Sequence, residues 1–215
     1  HEGLKSLEYR GYDSCGVALS NEGEGIKVFR QLGPPSEMLA SDFFESSCGM
    51  GHTRWATHGK VTLSNTHPHH DQENNIYLVH NGVIENADKI KEILEEDGCK
   101  FYGETDSEVL VNLISYYYAR SDNDPLTGLK QALRNVEGTY GIAVMFQSDE
   151  GKVIYGARKS SPLVIGIGNG EYFLASDTSA IPPHINKIAY LEDNQIACLT
   201  KNEFKIHYVD KSEFL

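Results

Sequence analysis

From Thr139 onward the chain is a series of short apolar runs. They are Thr139 to Gln147, Lys152 to Ala157, Leu163 to Ile167, Tyr172 to Ala175, Ile188 to Leu191, Gln195 to Leu199 and Phe204 to Tyr208. Most of the connections are too short for a crossover helix. Parallel neighbours need a dozen or more residues between them, so the runs predict antiparallel sheets. The first half adds strands at Cys15 to Ser20 and Ile26 to Leu32 around a Gly-rich turn, a helix at Pro35 to Glu45, and strands at Cys48 to Thr53 and Ile76 to His80. Helices follow at Asn86 to Glu96, ended by Gly98, at Ser107 to Ala119 and at Pro125 to Val136. In the second of these, Val109, Leu110, Leu113, Ile114 and Tyr117 form one apolar stripe. Sheets with an apolar face and helices with an apolar stripe must bury each other, so the expected class is α+β. The expected architecture is a four-layer αββα sandwich of two antiparallel sheets between helical layers.

At 215 residues and 40% apolar, the chain is long enough for one sizeable core, read as a single domain. Its formal net charge is −12, from 31 acidic against 19 basic residues, with no Lys/Arg cluster. That balance argues against nucleic acid or an anionic membrane as partner. Cys15, Cys48, Cys99 and Cys198 are scattered, which suggests reduced thiols in a cytoplasmic protein rather than a disulfide framework. The longest apolar runs, such as Ile142 to Phe146, are far too short to span a bilayer.

Chemistry concentrates between the strands of the first half. His52-Thr53-Arg54-Trp55-Ala56-Thr57-His58-Gly59 opens a His-, Asn- and Thr-rich loop that runs to about Asn75. His80-Asn81-Gly82 closes the next strand, and Glu104-Thr105-Asp106 opens a helix. A free α-amino acid loses hydration from a carboxylate and an ammonium when it binds, so its pocket needs a cation such as Arg54 and an anion such as Asp106. Attack on a side-chain amide builds an oxyanion, and the Asn81 amide beside the Gly82 N–H would supply two donors. Each group also has a plainer reading. Arg54 beside Trp55 reads as a surface guanidinium on a ring, Asp106 as an N-cap, Asn81-Gly82 as a hairpin turn and His58 as a turn residue. Arg10 reads as the partner of an acid such as Asp13. His67, His69, His70 and Asp71 are suitable zinc ligands, but no second cluster at a recognised spacing accompanies them, so no metal and no cofactor is expected. Gly166-Ile167-Gly168-Asn169-Gly170 joins two strands with no helix after it, which favours a hairpin turn over a phosphate loop.

With Leu7-Glu8-Tyr9-Arg10-Gly11-Tyr12-Asp13-Ser14, His67-Pro68-His69, Asn81 to Asn86, Ser161 to Gly166 and Ala175-Ser176-Asp177, these strings resemble the glutaminase domains of the glucosamine-6-phosphate synthase family along nearly the whole chain. The resemblance implies an N-terminal-nucleophile amidotransferase fold. It also implies a substrate site for L-glutamine built from Arg54, Trp55, Thr57, His58, Gly82 and Asp106. Asn81 and Gly82 would form the oxyanion hole, with Arg10 and Gly11 beside the nucleophile. In that family the nucleophile is an amino-terminal cysteine, whose α-amine can act as general base. His1-Glu2-Gly3-Leu4 reads as mid-helix, so the first strand and the cysteine are expected upstream of His1, and these residues alone should bind glutamine without hydrolysing it. Sugar isomerase domains are expected beyond Leu215, where the ammonia would meet fructose 6-phosphate, and the full-length protein is expected to be a homodimer.

Two departures from the family pattern stand out: Cys15 where alanine is usual, and Ser160 where glycine is common. Ser160 matters if the backbone there has positive φ. Two other functions fit the residues. One is another class II amidotransferase, such as the phosphoribosylamine-forming type, and the other is a glutamine-binding module with no nucleophile.

Overall fold

The computed structural model describes residues 1–21, 25–38, 46–56, 59–147 and 153–210. Its centre is a six-stranded antiparallel sheet. Its strands are β4 (His69–His70), β5 (Ile76–Ile84), β6 (Gly138–Phe146), β7 (Ile154–Lys159), β11 (Gln195–Leu199) and β12 (Phe204–Tyr208), in the spatial order β12-β11-β7-β6-β5-β4. Alternation along β5 assigns its two faces. Ile76 and Leu78 face Leu110, Ile114, Leu129 and Leu133 of α3 (Asp106–Ala119) and α4 (Pro125–Arg134), and α2 (Ala87–Glu96) adds Ile90 and Leu94. Tyr77 and Val79 point the other way, onto Ala18 and Met50. Each fully buried leucine or isoleucine in this core contributes about 1.5–3 kcal/mol.

The second sheet layer is split. β1 (Ser14–Asn21), β2 (Gly25–Leu32) and β3 (Cys48–Arg54) form one antiparallel sheet in the order β2-β1-β3. β8 (Val164–Ile167), β9 (Tyr172–Ala175) and β10 (Lys187–Tyr190) form another, in the order β10-β8-β9. Leu163 and Ile165 lie on Ala197 and Leu199 of β11, whereas Val164 turns outward onto Ile181 and Ile185. On the outer side of the first small sheet, Leu4 of α1 (Glu2–Ser6) packs with Cys15, Val17 and Met38. The result is the α+β sandwich read from the sequence, with its long described helices all on one face.

Several boundaries differ from expectation for local reasons. β5 does not stop at His80 but continues through Asn81 and Gly82 to Ile84, paired with β6. Gly82 makes this possible, because its φ is +127° and a β-carbon there would collide with the Thr139 carbonyl. Asn81-Gly82 is therefore not a hairpin turn. α3 begins one residue earlier than expected, and its N-cap is Thr105, whose hydroxyl accepts from the Glu108 amide at 3.2 Å. Asp106 is thus the first helical residue and not the cap. The expected helix at Pro35 to Glu45 appears as a single 3-10 turn, Pro35–Glu37, which ends in extended backbone at Met38. Its remainder, and the expected strand start at Lys152, lie outside the described residues. Gly166 to Gly170 is the β8–β9 hairpin, closed by the Gly168 amide on the Glu171 carbonyl at 3.0 Å.

Candidate functional site

A cavity of about 2100 Å³ opens between the sheet layers, and Arg10, His52, Arg54, Trp55, Asn81, Gly82 and Asp106 all line it. Three elements deliver these groups. β3 ends at Arg54, and since Met50 faces the six-stranded sheet, period-2 alternation turns His52 and Arg54 inward with it. On β5, the same alternation places Asn81 with Tyr77 and Val79 on the opposing face. Asp106 arrives from the first turn of α3, where a carboxylate is favoured by the helix dipole.

Arg54 is only 5% exposed, and its Nη1 donates to the Lys60 carbonyl at 3.3 Å. Burial pulls its guanidinium below its ordinary range, while the carboxylates of Asp13 and Asp106 work to keep it charged. Asp13 also accepts from the Ala56 amide at 2.8 Å, which anchors the chain just past Trp55. Oδ2 of Asp106 accepts from the Ile84 amide at 2.8 Å, and its Oδ1 lies 3.3 Å from the Ser107 hydroxyl and 4.0 Å from Nδ1 of His80. One carboxylate oxygen is therefore spent on β5. His80 is buried and held below its ordinary pKa chiefly by desolvation, which Asp106 opposes; Nδ1 sits 2.9 Å from the Ser107 oxygen.

Asn81 turns its Oδ1 toward Nε2 of His52, 3.0 Å away. His52 stacks on His67 at 4.1 Å between centroids, and His67 meets His69 edge-on at 4.6 Å. Desolvation pushes His52 down to about 4 and His69 to about 3, and holds His67 well below its ordinary value. His52 and His69 are therefore neutral near pH 7. His69 contacts the Thr105 hydroxyl at 3.1 Å. Asp71 accepts from the Asn75 and Ile76 amides and from Ser115, so both its oxygens are committed to local structure.

Arg10 does not pair with Asp13. Its Nη2 meets Asp177 at 2.5 Å and its Nε donates to Tyr9 at 2.8 Å, tying the first turns of the chain to the segment after β9. Gly11 is buried where a β-carbon would strike the Trp55 backbone, and its carbonyl accepts from the Thr53 hydroxyl. Trp55 is 60% exposed and meets Tyr12 edge-on at 6.2 Å. Thr57 and His58 lie outside the described residues. The structure thus brings Arg10, Arg54, Trp55, Asn81, Gly82 and Asp106 onto one cavity, with Gly11 packed against the Trp55 backbone beside it. Sequence reading gave His52, Ser107 and Asp177 no role of their own in this site and weighed His67 only as a metal ligand and as part of a family string. His52 was within reach, because it stands two residues before Arg54 on the same strand face.

An α+β sandwich with an arginine, a carboxylate and an Asn-Gly pair converging between its sheets defines a glutaminase-type fold. Residues 26–212 match the glutamine amidotransferase domain family, and the chain belongs to it. It is 43% identical over 97% of its length to the glutamine-fructose-6-phosphate aminotransferase (isomerizing) of Caldanaerobacter subterraneus subsp. tengcongensis. It is also 43% identical over 98% of its length to the protein of that name from Bacteroides thetaiotaomicron. The chain spans 34% of each of these relatives. Among solved structures, it superposes on the glutamine phosphoribosylpyrophosphate amidotransferase of B. subtilis with a TM-score of 0.80 at 26% identity, covering 98% of this chain and 46% of that one. Among the described residues, no helix is long and apolar enough to cross a membrane.

Proposed function

We propose that this domain binds L-glutamine and serves as the glutaminase part of an enzyme that makes glucosamine 6-phosphate. One observation carries the reading: Arg54, Asp106 and Asn81 open onto a single cavity, where Asp106 acts electrostatically on Arg54. Arg54 takes the α-carboxylate, Asp106 the α-ammonium through Oδ1, and Trp55, Thr57 and His58 frame the substrate. A cysteine thiolate attacks the amide carbon, and the oxyanion is held by Asn81 Nδ2 and the Gly82 N–H. The C–N bond then breaks, ammonia leaves with a proton, and water cleaves the thioester to glutamate.

None of the four cysteines suits the nucleophile's role. Burial pushes the Cys15 and Cys99 thiols up to about 11 and raises Cys198, and Cys48 lies 3.6 Å from the Met145 sulfur. The nucleophile in this proposal is the amino-terminal cysteine that the family resemblance implies, upstream of His1. In this proposal Arg10 and Gly11 support the nucleophile, as the resemblance implies. Passage of ammonia to fructose 6-phosphate in isomerase domains beyond Leu215, a homodimer and a cytoplasmic location complete the proposal. The names of the 43% identical relatives favour this acceptor over a phosphoribosyl one.

The test uses the protein of the complete reading frame, supplied with glutamine and fructose 6-phosphate. Equal amounts of glutamate and glucosamine 6-phosphate are expected. Glutamine binding with no ammonia release would favour a sensor instead.

A further inference from the structure

His52 is absent from the set of groups assigned above to substrate or to the oxyanion, yet it makes the only side-chain hydrogen bond to Asn81 among those described. An asparagine amide presents an acceptor on one side and a donor on the other, and rotation about its last torsion is broad. An oxyanion hole works only if the donor side faces the developing charge; the oxygen there would repel it. The orientation therefore has to be held by something behind the amide.

We infer that His52 is a positioning residue, which donates Nε2–H to Asn81 Oδ1 and so commits Asn81 Nδ2 to the cavity. This rests on the glutaminase reading of the site. The tautomer follows from the surroundings. Nδ1 of His52 is buried and makes no hydrogen bond among the described residues. A buried N–H left unpaired is rarer and costlier than an unpaired lone pair, so the proton belongs on Nε2. Only an oxygen can then face Nε2, which fixes which end of Asn81 points inward. The His67 ring, stacked at 4.1 Å and 29°, holds the imidazole plane. Burial also keeps His52 neutral near pH 7, so it steers the amide without placing a second cation beside Arg54.

The experiment compares H52L, H52Q, N81A and the double variant H52L/N81A in the complete enzyme, by steady-state ammonia release. H52L is expected to lower kcat roughly 10- to 100-fold while KM for glutamine stays within about twofold. H52Q, which restores an N–H donor, should recover most of that loss. The double variant should be no slower than N81A alone, because both changes remove the same donor. If H52L lowers kcat and raises KM together, or if the double variant loses the product of the two single effects, His52 only shapes the pocket and the inference is wrong. Full turnover in H52L with a crippled N81A would also overturn it, leaving the oxyanion assignment intact. A wild-type enzyme that releases no ammonia would instead sink the glutaminase reading itself.

Discussion

The Ile84 amide donates to Oδ2 of Asp106 at 2.8 Å, joining the last residue of β5 to the first turn of α3. That bond sets the distance between the Asn81-Gly82 end of the strand and the carboxylate that would hold an ammonium. It also leaves Oδ1 as the oxygen for a ligand. The first residue of a helix and the last residue of a strand thus build the site jointly.

Asp106→Asn keeps a carbonyl oxygen for Ile84 and removes only the charge. We expect this variant to fold, to lose about 1 kcal/mol of stability with the helix-dipole and Arg54 interactions of the carboxylate, and to lose glutamine affinity by at least about 100-fold. Titration calorimetry decides the matter, and unchanged affinity would remove Asp106 from the ammonium site.

Asn81→Ala in the complete enzyme should reduce kcat by about 10²- to 10³-fold, roughly 3 to 4 kcal/mol, with little change in glutamine affinity. Equal losses in turnover and binding would contradict an oxyanion role.

Ser160 has φ of +63°, the left-handed region foreseen as a risk when serine replaces glycine. Its amide is pinned by Asp193 Oδ1 at 2.9 Å, so the conformation is held from outside. A non-glycine residue there costs about 1–3 kcal/mol, and glycine returns about 0.5–1 kcal/mol of entropy cost. Ser160→Gly should therefore raise the unfolding free energy by about 1 kcal/mol in urea titration. A lower midpoint would mean that the serine side chain contributes something the backbone angle hides.

Acid should unfold this domain earlier than its carboxylates alone would. His52, His67 and His69 are held below 6.5 in the folded state, His52 at about 4 and His69 at about 3. The unfolded chain therefore binds more protons, and stability rises with pH across that window. The contribution is complete above about 6.5, and it is lost as pH falls toward the folded values. At pH 5 the slope should approach about 1.4 kcal/mol per pH unit for each of His52 and His69. Urea midpoints that stay flat between pH 6.5 and 5 would show that these rings are already solvated.

Much of the fold was legible because it depends on local pattern. The apolar runs at Ile76 to His80 and Thr139 to Gln147 are strands as read, and Gly98 does end a helix, with φ of +90°, whereas α3 buries more than its stripe, Val111 and Asn112 included. Boundaries were misread where a distant contact overrode a local preference. Asn81-Gly82 favours a turn by itself, but pairing with Gly141 and Tyr140 on β6 carries the strand through it. Asp106 is a good cap by composition, but Thr105 takes that place and frees the carboxylate for Ile84. Arg10 found Asp177, distant in sequence, rather than neighbouring Asp13, because the chain returns beside it after β9.

What the sequence alone determined was the chemistry available: a guanidinium at 54, a carboxylate at 106 and an amide at 81, on strands and a helix whose periodicity is written in the chain. Only the tertiary structure decided that they meet in one cavity, that Arg54 is buried deeply enough for Asp13 and Asp106 to govern its charge, and that His52 stands behind Asn81. The physical reason is range. Backbone propensity and side-chain alternation act over a few residues. Desolvation, hydrogen-bond orientation and the field between charges depend on which distant segments the packed sheets bring within a few ångströms.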